Sequence, residues 1–373
     1  MSKTLLHPKL WDENCRSTES TLHQLAPYIG KMKSAMAKTL IDTYSSKGDL
    51  VCDPFVGSGV VALESLIGNR GILASDISPY AYVLTKAKLT APRTMEEALA
   101  KADLYCAKMK ITADRVSLRG VPKWVKSFFH RRTLKEVLAL TSILRQRREY
   151  FLLACLLGIL HHQRPGFLSY PSSHLVPYLR TKKFPIELFP EMYKYRSVAH
   201  RMRAKINRVY KRFPRLSPDL LMECRRVNAA SSWLPKEAVD TVITSPPYMN
   251  ALDYARDNRL RLWFLGVSDY EKQDRKVPNN SKDFLFLMEH CMKNIYQGLK
   301  RNGICVLVIG EVGRSKKPIN TANLIIEMMK ESSLNFRLEE MIEDTIPDIR
   351  RARRNGSCTK KEWIVVFKKG ARA

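Results

Sequence analysis

Along residues 34–44, SAMAKTLIDTY, the apolar positions Ala35, Leu40 and Ile41 fall at helical spacing, and SSKGD then breaks the pattern. The short apolar run Leu50-Val51-Cys52 predicts a strand. DPFVGSGVVALESLIGNRG follows, a glycine-containing turn that feeds a helix, and ILASDIS predicts a second strand ending in the acidic Asp76. Strand, glycine turn, helix and a strand with a terminal acid make the first half of a doubly wound nucleotide-binding sheet.

From Pro92 onward the pattern changes to long basic helices with interleaved aromatics, as in VPKWVKSFFHRRTLKEVLALTSILRQRREYFLLACLLGIL, and strand-like alternation is absent until LLMECRRVNAAS at 220. Residues 162–190 carry five prolines between aromatics and predict an ordered loop on a helical scaffold. After 220 the alternation of strand and helix resumes. AVDTVITSPPY reads as a strand, FLFLMEHCMKNIYQGLK as a helix, GICVLVIGEV as a strand, TANLIIEMMKESS as a helix and EWIVVFKK as a last strand. The expected architecture is one α/β domain interrupted between its second and third strands by a helical insertion: residues 1–92, then 93–217, then 218–373.

Composition sharpens this picture. With 373 residues, 45% of them hydrophobic, the chain can bury a sizeable core. Its longest apolar run, at 150–160, is too short to cross a bilayer, and no signal-peptide pattern opens the chain, so no membrane partner and a cytoplasmic, nucleoid-associated location in a bacterial or archaeal cell are expected. The eight cysteines include no C-x-x-C pair, which points to buried reduced thiols and to no metal. The net charge of +28 points to a polyanionic partner. Residues 93–217 hold 27 Lys and Arg against 8 Asp and Glu, so about a third of the chain carries most of the excess.

Two stretches carry chemistry. In DPFVGSG, Gly57 and Gly59 let a backbone approach a ligand closely at the start of a helix, and Asp76 can accept hydrogen bonds from two ribose hydroxyls, so an adenosine-type cofactor fits. A tight turn and a helix N-cap remain the plain readings of the same residues. In SPPY, Pro246 and Pro247 cannot continue a ladder, so the strand at 239–243 ends at the carboxyl edge of the sheet, where open α/β sheets bind ligands. The prolines stiffen the carbonyls there, Ser245 adds a side-chain acceptor and Tyr248 an aromatic face. Acceptors for an amino group beside a flat surface describe a nucleobase pocket.

These motifs resemble the S-adenosylmethionine-dependent amino methyltransferases of DNA, whose signature is Asp, Asn or Ser followed by Pro-Pro and an aromatic. The resemblance covers residues 1–92 and 218–373. It implies a Rossmann-like class I methyltransferase sheet; the inserted basic helical domain, 93–217, departs from the family's common arrangement, which places the recognition domain after the third strand, and is expected from its charge and position to recognise DNA. It assigns catalysis to Ser245, Pro246, Pro247 and Tyr248, and the serine form is associated with the cytosine N4 amino group. The cofactor loop is carried over to Asp53, Pro54, Phe55, Gly57 and Gly59, and the ribose acid to Asp76 beside Ile77. YIGKM at 28–32 is similar to the N-terminal cofactor motif, with Lys31 as its contact, and Asn228 stands where relatives often place an aspartate near adenine. DYARDNRLRLWFLG at 253–266 is similar to the segment after the catalytic motif, and its Arg256 is expected to meet DNA.

The expected reaction is methyl transfer to the N4 amino group of a cytosine extruded from double-stranded DNA, in restriction-modification beside a cognate endonuclease or in solitary marking. Adenine N6 methylation, RNA methylation and a silent nucleic-acid-binding module are the alternatives. Carbon-5 methylation needs a cysteine after a proline, and no cysteine here follows one. Arg145, Arg147 and Arg148 face either solvent or phosphate. Arg350, Arg351, Arg353 and Arg354, in the run that joins the last two strands, are expected to hold DNA backbone beside the pocket, or to form a basic loop. Oligomeric state is not legible.

Overall fold

The computed structural model describes residues 6–12, 19–162, 166–173, 176–248, 254–275, 277–278, 280–311, 319–345 and 361–370. Helices α1 (Lys9–Asp12) and α2 (Ser34–Tyr44) precede strand β1 (Leu50–Asp53), α3 (Val60–Ile67), β2 (Gly71–Ser75) and α4 (Pro79–Leu89). The insertion contributes α5 (Met95–Ala113), α6 (Lys123–Lys126), α7 (Arg131–Gln146), α8 (Tyr150–Gly158) and α9 (Val198–Val209). Strands β3 (Met222–Arg225) and β4 (Val239–Thr244) follow, then α10 (Tyr254–Asp257), α11 (Arg259–Phe264), α12 (Tyr270–Asp274) and α13 (Ser281–Gly298). The chain closes with β5 (Leu299–Gly310), α14 (Thr321–Glu331), β6 (Phe336–Thr345) and β7 (Lys361–Lys369).

The seven strands lie in the order β3-β2-β1-β4-β5-β7-β6. The first five in that order pair in parallel, and β7 runs antiparallel to both β5 and β6. Helices α5 to α9 lie between β2 and β3 in chain order. Strand alternation sorts the sheet's two faces. Val51, Ile72, Ile243, Val306 and Ile364 pack with Met36, Leu40 and Ile41 of α2 and Val60, Val61 and Leu66 of α3. Their neighbours Cys52, Leu73, Val242, Cys305 and Trp363 pack on the other face, against Phe284, Met288 and Met292 of α13 and Ile325 of α14.

The inserted helices do not close a core of their own. Leu134, Val137 and Leu140 of α7, the apolar body of α8 and Val198, Met202 and Ile206 of α9 share one cluster with Tyr80, Leu84 and Ala87 of α4 and Leu260, Leu262 and Phe264 of α11. Gly158 of α8 shows how tight this seam is: a Cβ there would lie 2.3 Å from the Leu25 carbonyl oxygen. Two boundaries differ from their sequence pattern. The strand β5 starts at Leu299, inside the run that reads as helix, and β6 has no counterpart among the predicted strands because half-exposed polar residues dominate it. Among the described residues, no helix is long and apolar enough to cross a membrane.

Candidate functional site

The site grows from the ends of β1, β2 and β4, which leave the sheet at one edge. Cys52 of β1 lies opposite both Leu73 of β2 and Val242 of β4. At the end of β1, the buried Asp53 accepts hydrogen bonds from Thr244 Oγ1 at 2.6 Å and from the Phe55 N–H at 3.2 Å. It thereby ties the glycine turn to the last residue of β4, one position before Ser245. Burial pushes its carboxyl up to about 7, against the pull of the Thr244 and Phe55 donors.

The turn is pinned from several sides. Val56 N–H donates to the Ser75 carbonyl at 3.0 Å, and Ser75 Oγ donates to the Pro54 carbonyl at 3.1 Å. Gly57 and Gly59 adopt φ of +50° and +74°. A Cβ on Gly57 would crowd the Tyr28 ring at 3.3 Å, and one on Gly59 would sit 2.8 Å from Thr85 Oγ1. The Gly59 carbonyl accepts from Lys88 Nζ at 3.2 Å. Lys88 lies beside His23 Nδ1, and His23 Nε2 lies 2.6 Å from Glu64. Burial, then the cations Lys88 and Lys31, hold His23 neutral, so its Nε2–H donates to Glu64 while Nδ1 is left to face Lys88. Lys31 itself is exposed, close enough to affect this buried cluster.

Asp76 ends β2. Its Oδ2 accepts the Gly57 N–H at 2.9 Å and its Oδ1 the Ser78 N–H at 2.8 Å. Each carboxylate oxygen keeps a lone pair for a further donor, which matches the two hydroxyls of a ribose. Burial pushes this carboxyl up to about 6, with the Ser78, Gly57 and Ile77 amides opposing. The adjacent Ile77 side chain is 38% exposed, an apolar face beside the acid. Asn228 lies exposed past β3, its Oδ1 accepting from the Ala230 N–H at 3.0 Å.

Ser245 follows β4 directly and is half-buried, as are Pro247 and Tyr248, while Pro246 is buried. The Tyr248 hydroxyl donates to Glu362 Oε1 at 3.0 Å and receives Ser245 Oγ at 3.5 Å. Sequence reasoning missed three members of this neighbourhood. Tyr28 packs on Gly57 and stacks with Tyr80 at 6.0 Å between ring centroids, Tyr254 has Asp76 and Glu362 as charged neighbours, and Glu362 arrives on β7. Tyr28 and Tyr254 lie within or beside quoted motifs and could have been picked out as aromatics. Glu362 carries no local signal.

The basic candidates divide. Arg145 Nη1 donates to the Phe264 carbonyl at 3.4 Å, so this residue joins α7 to α11. Arg147 and Arg148 are exposed at the end of α7, with Arg148 at φ +54°. Arg256 is exposed on α10, whose backbone is fastened through Asp274 at 3.0 Å. Arg350, Arg351, Arg353 and Arg354 lie outside the described residues. His161 packs inward with Nδ1 3.1 Å from the Ser173 carbonyl oxygen, and no cluster among the described residues could hold a metal ion.

The sheet order, with β7 the one antiparallel strand among the described residues, and the acid-and-glycine loop define the class I fold of S-adenosylmethionine-dependent methyltransferases, and the acceptor lone pairs of Asp76 and the cradle at Gly57 fit that cofactor. The family described as DNA methylase matches residues 5–87 and 239–373, and the chain belongs to it. The unmatched stretch between these spans contains the helical insertion. A curated relative, the Type II methyltransferase M.MjaII of Methanocaldococcus jannaschii, is 28% identical over 68 residues, which make up 18% of this chain and 13% of the relative. The chain thus matches only a small part of that protein's length. Among solved structures, TrmN from Thermus thermophilus aligns with a TM-score of 0.37 and 12% identity over 93% of this chain and 52% of its own. The rRNA methyltransferase aviRa from Streptomyces viridochromogenes aligns with a TM-score of 0.34 and 12% identity over 95% and 93%.

Proposed function

We propose that the chain is an S-adenosylmethionine-dependent methyltransferase acting on the exocyclic N4 amino group of cytosine in double-stranded DNA. The observation that carries this reading is Ser245, held at the end of β4 by the Thr244–Asp53 bond, one strand away from the Asp76 loop. When bound, the cofactor supplies an electrophilic methyl group. Asp76 holds the ribose, Gly57 and Gly59 admit the backbone approach, and Ile77 and Phe55 offer apolar contact. Lys31 and Asn228 flank this region.

The cytosine amino lone pair is delocalised into the ring and is a poor nucleophile. Ser245 Oγ and the Pro246 carbonyl accept hydrogen bonds from its two N–H groups, which lets the nitrogen pyramidalise and present its lone pair in line. Pro247 stiffens that carbonyl. The base leaves the duplex stack, and the Tyr248 ring supports it. Serine suffices as acceptor because nitrogen becomes acidic only once it is methylated and cationic. The basic insertion, with Arg147, Arg148 and Arg256, meets phosphate, and a cognate nuclease is the partner where the enzyme serves restriction-modification.

Digestion of methylated duplex to nucleosides is expected to yield N4-methylcytosine. N6-methyladenine in its place would reassign the base, and transfer to RNA but not duplex DNA would reassign the substrate. Ser245→Ala is expected to lower the single-turnover rate on the order of 10²-fold, the cost of losing one preorganised donor or acceptor, with cofactor affinity unchanged in calorimetry.

A further inference from the structure

The hydrogen bonds beyond Ser245 run in one direction. Ser245 Oγ–H donates to the Tyr248 oxygen at 3.5 Å, and the Tyr248 O–H donates to Glu362 Oε1 at 3.0 Å. Glu362 is the second residue of β7, opposite Gly310 at the end of β5. Because β7 is antiparallel, its beginning reaches the edge where β4 and β5 finish, and this topology brings the Glu362 carboxylate behind the Ser-Pro-Pro-Tyr turn. An amine that has accepted a methyl group is cationic and must release a proton. A serine hydroxyl can accept that proton only by passing its own onward, and the Tyr248–Glu362 bond is the onward path.

We propose that Glu362 receives the proton of the methylated amine through Ser245 and Tyr248, and that it holds Tyr248 in the orientation this requires. The inference rests on the reading under Proposed function. One N–H bond of the cationic amine breaks and its electron pair returns to nitrogen. The proton binds Ser245 Oγ, the serine proton binds the Tyr248 oxygen, and the tyrosine proton binds the Glu362 carboxylate. The base ends neutral, both hydroxyls keep one proton, and Glu362 ends protonated until the site opens to water. Glu362 acts through its neighbours and is a positioning residue by that measure.

The charged surroundings suit a transient acceptor. Asp344 of β6 lies opposite Glu362, accepts Trp11 Nε1–H at 2.9 Å and faces Lys33 Nζ, which precedes α2, at 3.7 Å. Tyr254 of α10 is near. The neighbouring Lys361 is drawn to Glu343 at 2.6 Å, and its N–H donates to Glu311 at 3.1 Å. Burial, aided by Asp344, raises the Glu362 carboxyl above the usual range, while the Tyr248 bond and Lys33 oppose. The relay needs the carboxylate, so it operates above this pKa and fails as pH falls through it.

The test is the single-turnover methylation rate across pH, with cofactor kept saturating at every pH so that Asp76 protonation does not enter, for the parent, Glu362→Gln, Glu362→Asp and Tyr248→Phe, with thermal melting and cofactor affinity measured alongside. Glu362→Gln keeps an acceptor for Tyr248 and is expected to slow the rate on the order of 10²-fold and to erase the acid limb, and Tyr248→Phe is expected to do the same. The double variant should be no slower than either single one, and Glu362→Asp should restore part of the limb. In the infrared difference between the parent and Glu362→Gln, both cofactor-free, one protonated-carboxyl component that titrates above the ordinary glutamate range should be lost while those of Asp53 and Asp76 remain. A Glu362→Gln protein with the parent's rate and pH profile overturns the relay alone. Should that variant fail to melt cooperatively, an unchanged acid limb in Tyr248→Phe overturns it. A parent that methylates no nucleic acid overturns the functional reading and the relay together.

Discussion

At the scale of single residues, the site is built on carboxylates kept in surroundings that disfavour their charge. Asp76 is the clearest. Burial opposes its ionisation, and three backbone donors recover only part of the cost, which leaves it at about 6. A raised acid pKa means that the folded state binds the proton more tightly than the unfolded chain. Asp76 therefore contributes most to stability below the unfolded value near 3.8 and progressively less as pH rises to about 6. With Asp76 as the proposed ribose ligand, cofactor binding is expected to have the opposite slope, because only the carboxylate can accept from both ribose hydroxyls. Cofactor affinity should be full well above pH 6 and should drop roughly tenfold by one unit below the pKa, following the ionised fraction. Asp76→Asn should bind about tenfold more weakly and should lose this dependence, as removal of a charge-assisted hydrogen bond implies. Calorimetric titration with the cofactor on either side of that pKa checks both statements.

At the scale of elements, the segment after Ser-Pro-Pro-Tyr is held by one fully buried cation. Arg261 of α11 donates through Nε to the Leu157 carbonyl of α8 at 3.2 Å and through Nη1 to Asn258 at 3.3 Å, and its guanidinium lies over the Tyr80 ring of α4 at 5.7 Å. Arg261→Ala should leave a cavity and an unpaired buried carbonyl, destabilising the protein by about 2–5 kcal/mol in chemical unfolding. The elements that sequence pattern reveals best are β1, β2 and β4, whose buried apolar runs end at a glycine turn, an acid and a proline pair, so local chemistry marks both strand and site. The edge strand β6 escapes because one face meets solvent and Arg337, Glu339 and Glu343 break the apolar run. Glu362 escapes for a different reason: it stands 114 residues from Tyr248, and only the reversed direction of β7 joins them. Arg145 looks like a phosphate ligand within a charged block, yet a carbonyl on α11 engages its side chain.

At the scale of the whole molecule, helices α7 and α9 of the insertion present two different sides. In α7, Leu134, Val137, Leu140 and Leu144 are buried while Arg131, Arg132 and Arg145 are exposed, and in α9, Met202 and Ile206 are buried while Arg203 and Arg208 are exposed. The exposed charge, Arg145 apart, therefore sits free of the core on helices whose inner faces complete the core of the α/β part. Lys205 of α9 strengthens the seam from within: buried, with its ammonium lowered to about 8 by desolvation, it donates to the Gln24 carbonyl at 2.8 Å. A self-contained domain could be excised and its host rejoined, but here removal of residues 93–217 would uncover Tyr80, Leu84 and Ala87 of α4 together with Leu260, Leu262 and Phe264 of α11. An apolar patch of that kind on a soluble surface promotes association. The excised protein is expected to aggregate or to lose cooperative melting, and to bind cofactor weakly if at all, because α4 follows Asp76 and supplies the Lys88 that holds the Gly59 carbonyl. Size-exclusion chromatography and thermal melting of the excised chain check this. A monomeric, cooperatively folded product that binds S-adenosylmethionine like the parent would show that the helical layer is an accessory to the fold and not part of its core.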